Sequence, residues 1–119
     1  ASMDETLLKP RTTGARRATR IASYTYHLFS SRTEDDVVIF LYDDAADLIG
    51  QVFFAADDLP LPPAAKTRGC VALYFPRSRF SAVVDMLRNE GPIDLCWAGP
   101  LDSCLSTELE RVGEGEATP

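Results

Sequence analysis

The chain predicts an α+β domain with a mainly antiparallel sheet, in the order ββββ-α-ββ, with one principal amphipathic helix at about 79–90. Two observations carry this expectation. Six short stretches are apolar or alternate apolar with polar residues, as strands do, and each is bounded by turn-forming residues. A single stretch carries apolar residues at helical spacing, Phe80, Val83, Val84 and Leu87 at i, i+3, i+4 and i+7.

From Ile21 to Phe29 the residues alternate: Ala22, Tyr24, Tyr26 and Leu28 share one face, and Ser23, Thr25 and His27 the other. Arg32 to Asp36 is a charged turn, and Val37 to Tyr42 is apolar on both faces, as a central strand is. Asp43, Asp44 and Asp47 mark the next turn, and Leu48 to Ala56 is a third strand in which Gly50 is a candidate bulge. Residues 57–68 contain Pro60, Pro62 and Pro63 and read as a loop of polyproline character. Cys70 to Phe75 is a fourth strand, stopped by Pro76, which has no N–H for a ladder. Ser78 is positioned to cap the helix, and Gly91 to close it in a left-handed turn before Pro92. Ile93, Leu95 and Trp97 alternate with Asp94 and Cys96 in a fifth strand; Ala98 to Ser103 reads as a hairpin connection, and Leu105, Thr107 and Leu109 alternate in a sixth. One helix covers one face of such a sheet, so the two-sided apolarity of 37–42 and 51–54 asks for a second cover. A homodimer partner is the simplest.

At 119 residues the chain suits one domain with a real core. The expected divisions are a flexible basic arm at 1–20, the α+β domain at 21–112 and a flexible acidic tail at 113–119. No run approaches the roughly 18 apolar residues of a membrane span, and no apolar signal segment opens the sequence, so the expectation is a cytoplasmic protein away from membranes. Three cysteines without a Cys-x-x-Cys pair argue for a reducing compartment. Residues 1–20 hold five basic and two acidic side chains, whereas residues 21–119 hold seven basic and sixteen acidic ones, a net charge of −9. Such a body repels phosphate backbones and suits protein partners better than nucleic acid.

His27 is the sole histidine, and a thiol enzyme would have to pair it with Cys70, Cys96 or Cys104. No glycine-rich or nucleophile-elbow context surrounds any of the three, and the cysteines alternate within strands as small apolar residues do, with Cys96 and Cys104 placed to face each other across the last hairpin. The acidic groups Asp35-Asp36, Asp43-Asp44-x-x-Asp47 and Asp57-Asp58 lie at turns and lack the spacing of a calcium loop. No catalytic residue, metal ligand or cofactor is therefore assigned.

Basic and aromatic residues interleave near the fourth strand: Arg68, Arg77 and Arg79 with Tyr74, and Tyr24 and Tyr26 on an earlier strand. That is the composition of a phosphate track with stacking faces. The stretch Gly69-Cys-Val-Ala-Leu-Tyr-Phe-Pro-Arg-Ser-Arg-Phe80 runs from a Gly-led strand through a Pro-containing cap into a helix. In this, and in the element order from Val37 to Glu90, the chain resembles the PC4–Pur–Whirly group of small dimeric proteins. The resemblance implies a curved sheet followed by a helix and binding of single-stranded nucleic acid, with Arg68, Arg77, Arg79, Tyr24, Tyr26 and Tyr74 as contacts. Residues 86–92 and 110–116 also look like those of small uncharacterised bacterial proteins. The residues themselves favour a non-catalytic binding or protein-interaction module that is homo-oligomeric, with single-stranded nucleic-acid binding and a Cys–His27 enzyme as the alternatives.

Overall fold

The computed structural model describes residues 17–107. Their order is β1 (Arg17–Ile21), β2 (Ser23–Leu28), β3 (Val37–Tyr42), β4 (Leu48–Ala55), β5 (Ala65–Thr67), β6 (Cys70–Pro76), a 3-10 turn (Arg77–Arg79), α1 (Phe80–Asn89), β7 (Ile93–Trp97) and β8 (Ser103–Thr107). The α+β class stands, and the helix lies where its periodicity put it. Residues 1–16 of the arm expected at 1–20, the tail at 113–119 and Leu109 of the sixth expected strand lie outside the described residues. No helix among the described residues is long and apolar enough to cross a membrane.

Two sheets share the core. The larger has the order β2-β3-β4-β6-β5 and the smaller β1-β7-β8. The expected first strand is two strands: the chain leaves the small sheet at Ile21, passes Ala22 and enters the large one at Ser23. Ala22 N–H donates to the Tyr42 carbonyl at 2.8 Å, which ties the crossover to β3. The strand also starts earlier than expected, at Arg17, within the stretch expected to be an arm. Pairing with β7, reinforced by the Arg20 Nε bond to Asp94 Oδ1 at 2.7 Å, holds a segment that is too polar to declare itself.

The large sheet is mixed: its other pairings are antiparallel, as is the whole of the small sheet, but β4 and β6 run parallel. The crossover between them, 56–69, contains β5, which a loop reading of 57–68 missed. β5 is three residues long and pairs with β6 through the two-residue turn Arg68-Gly69. Both turn residues have positive φ, 53° and 80°, the geometry that matches hairpin twist. Gly50 lies at the bulge: it pairs with Leu41 and Val71, but the next β3 residue, Tyr42, pairs with Leu48, so Ile49 is the extra residue of β4 beside it. What requires glycine there is close approach: a Cβ would lie 2.8 Å from Leu95 Cδ2 and 3.2 Å from Leu41 Cδ1.

That approach marks the core. Ile39, Leu41, Val52, Phe54, Val71 and Leu73 line one face of the large sheet, and Leu95 of the small sheet and Val83 of α1 pack onto it. Phe80 sits edge-on to both Phe54 and Tyr26. The helix ends differ from expectation. Ser78 does not cap α1 with its side chain; its backbone N–H instead donates to Asp57 Oδ1 at 2.9 Å, so a carboxylate from the crossover meets the positive start of the 3-10 turn. Gly91 does not adopt the left-handed conformation. The chain leaves α1 extended at Glu90, and the Gly91–Pro92 peptide is cis.

Candidate functional site

Helix and small sheet both lie on one face of the large sheet, so the other face is the candidate site. Strand alternation assigns it Thr25 and His27 from β2, Val38, Phe40 and Tyr42 from β3, Gln51, Phe53 and Ala55 from β4, and Cys70, Ala72 and Tyr74 from β6. Register places His27, Val38, Phe53 and Tyr74 in one row across four strands, and Thr25, Phe40, Gln51 and Ala72 in the next.

The aromatic rings are mutually packed. Phe53 and Tyr74 stack with centroids 5.3 Å apart. His27 stacks on Phe29 at 5.8 Å and meets the Phe40 ring edge-on at 4.9 Å. Beneath them Val38 is only 3% exposed, whereas Phe40, Phe53 and Tyr74 are half-buried. Polar groups are sparse: Thr25 Oγ1 lies 3.3 Å from His27 Nε2 and 3.5 Å from the Tyr42 hydroxyl.

Charge is confined to the ends. Beyond β3 and β4, Asp43 accepts backbone N–H bonds from Ala45 (3.0 Å) and Asp47 (2.9 Å), holding a turn in which Ala46 has φ 65°. At the other end the Arg32 guanidinium covers the Phe29 ring at 3.8 Å, and Arg77 donates to Asp36 at 2.7 Å. There the β2–β3 turn and the Pro-containing crossover rise over the face and enclose a cavity of about 370 Å³. Phe53 and Tyr74 form its floor, Leu59, Pro60 and Pro62 one wall, and Glu34, Asp35 and Arg77 contribute to its lining.

The sequence-selected residues are dispersed. Tyr24 and Tyr26 lie on the core-facing side of the large sheet, Tyr26 against Phe80 of α1, while Tyr74 is on the opposite face. Arg68 is the hairpin turn residue, Arg77 is tied to Asp36, and Arg79 borders a cavity between α1 and β8 with Phe75, Met86 and Leu105. Only Tyr74 and Arg77 come together.

His27 and Cys70 share the open face, but three strand spacings, about 14 Å, separate their strands. Cys96 and Cys104 belong to the small sheet. Burial pushes the Cys70 thiol above its usual range, the opposite of an activated nucleophile. Among the described residues no three His, Cys, Asp or Glu side chains cluster as metal ligands would.

Reasoning from sequence missed Phe29, Phe40 and Phe53, although the two-sided apolarity of β3 and β4 pointed to them. No family model, curated protein or solved structure matches the chain.

Proposed function

We propose that this protein is a non-catalytic interaction module that works through the open aromatic face of its five-stranded sheet, and that the first partner covering that face is a second copy of the chain. The observation behind this reading is a set of packed, half-buried rings over which, among the described residues, only the β2–β3 turn and the crossover rise at one end, on a body whose net charge at residues 21–119 is −9. Exposed apolar area of this kind marks interaction surfaces. The middle of the face carries no charged side chain, and the acids sit at the two ends of the sheet. Two like-charged bodies can therefore meet there without opposing carboxylates directly, in the self-complementary manner of a two-fold dimer.

Light scattering during size exclusion tests this. The expected mass is twice the 13.1 kDa chain. Phe40→Glu and Phe53→Glu, which put a charge into the centre of the face, are expected to give folded monomers by circular dichroism. A wild-type monomer at micromolar concentration, or dimers that survive both changes, would refute it.

Single-stranded nucleic acid is the second reading. The observation for it is the Phe53–Tyr74 stack with Arg77 at its end, a stacking platform beside a cation. Against it stand the acidic body and the ion pair that already engages Arg77.

A further inference from the structure

We propose that Cys96 and Cys104 form a redox-active dithiol that a small-molecule disulfide converts to a cross-strand disulfide. The site lies in the small sheet and is independent of the binding face. Cys96 and Cys104 are direct partners in the β7–β8 register, so both side chains project from the same side of that sheet. That side is the one turned away from the large sheet, because the neighbouring Leu95 points to Gly50, and Cys96 is buried there while Cys104 is only half-buried.

The phase of the ladder sets the spacing. Ala98 N–H donates to the Asp102 carbonyl at 2.9 Å. Cys96 and Cys104 lie one full ladder repeat further along, and are therefore a hydrogen-bonded pair with Cα atoms about 5.5 Å apart. This lies within the range that disulfides span. The Cβ atoms of such a pair stand at the wide end of about 4.5–5.5 Å, whereas a relaxed disulfide holds them about 3.8 Å apart. The bond would draw the strands together and store strain, which makes it readily reducible: a switch, not a staple.

Exposure orders the steps. Cys96 is 4% exposed and Cys104 is half-buried. The Cys104 thiolate attacks one sulfur of the small disulfide, forming a mixed disulfide and releasing one thiolate. Cys96 loses its proton to solvent and attacks the Cys104 sulfur, expelling the second thiolate. The small disulfide gains two electrons as two thiolates, and the protein loses them as its new S–S bond. Cys70 lies in the other sheet, with its thiol pushed up by burial, and stays reduced.

The test titrates the whole chain with glutathione at graded oxidised-to-reduced ratios, quenches with acid and maps the cysteines by mass spectrometry. The expected product is monomeric in covalent mass, lacks two hydrogen atoms, joins Cys96 to Cys104 and leaves Cys70 as a thiol. Cys96→Ser is expected to trap glutathione on Cys104, and Cys104→Ser to leave Cys96 unmodified. Absence of a 96–104 bond in the wild type at every ratio would overturn the proposal, as would oxidation that reaches Cys70 first. Measurement on the wild type keeps the test decisive if a variant folds poorly.

Discussion

Gly50→Val is the most direct probe of how the two sheets meet. A single added Cβ would already stand 2.8 Å from Leu95 Cδ2, 3.2 Å from Leu41 Cδ1 and 3.3 Å from the Val71 carbonyl oxygen. Valine adds two methyl groups beyond that point. Leu95 is 3% exposed and Leu41 fully buried, so neither tip has open space to enter, and the Val71 oxygen is backbone. Overpacking of this kind costs about 1–3 kcal/mol. Gly50→Ala is expected to be milder, since removing a strand glycine returns roughly 0.5–1 kcal/mol. The decisive comparison is a double-mutant cycle. Leu95→Ala alone should cost about 2–5 kcal/mol through the cavity it leaves. In the Gly50→Val/Leu95→Ala double variant the valine methyls fill part of that cavity, so the combined loss should fall short of the sum by at least about 1 kcal/mol. Urea unfolding with an unchanged m-value measures each corner of the cycle. If Gly50→Val unfolds at the wild-type urea concentration, or the two losses simply add, the small sheet does not pack on β4 through this contact.

Other expectations concern charge and thiols. Asp57→Ala should cost about 0.5–2 kcal/mol in thermal or urea unfolding by leaving the Ser78 N–H without its carboxylate. Arg77→Ala should cost under about 1 kcal/mol, because the Asp36–Arg77 pair is 33% and 46% exposed and solvent screens it, and a cycle with Asp36→Ala should show weak coupling that added salt abolishes. The raised Cys70 thiol contributes stability that is complete below the unfolded-state thiol pKa and lost as pH rises through the higher folded value, so Cys70→Ser should flatten the alkaline limb of a stability–pH profile. Iodoacetamide should label Cys70 more slowly than free cysteine at neutral pH, and rapid labelling there would contradict a thiol raised by burial. A labelled single-stranded oligonucleotide should show no anisotropy change even at low salt; micromolar binding that needs Tyr74 and Arg77 would replace the protein-interaction reading.

Local patterns in this chain were legible and distant pairings were not. Phe80, Val83, Val84 and Leu87 disclosed α1 because helical period depends only on neighbours. Val37 to Tyr42 disclosed a central strand whose second face needs a cover, and with it the general position of the candidate site. The rings that define the site were harder to see, since Phe53 and Tyr74 become neighbours only through a parallel pairing across a Pro-containing crossover. β1 was hidden by its composition, because Arg17–Arg20 stay exposed and are strand only by pairing with β7. The helix start was misassigned to Ser78 because its carboxylate partner, Asp57, is 21 residues away. Tyr24 and Tyr26 were grouped with Tyr74 by residue type, while the register sends them to opposite faces.

The change of sheet at Ala22 also governs how the molecule can assemble. β1 and β2 are one run of chain shared by both sheets, and β1 finds its partner β7 across a sequence separation of 74 residues at the Arg20–Asp94 contact. Loops of that length close late, after the local β2–β3–β4 meander has formed, and a high share of distant pairings slows folding. A nascent chain that has not yet reached Ile93 carries the finished meander with Leu41 and Gly50 bare, since Leu95 is still to come. The same core face that is covered in the finished protein is therefore sticky throughout synthesis. A truncation ending before β7 should be retained by chaperones or aggregate, even though five of the eight described strands and the helix lie between Ser23 and Asn89.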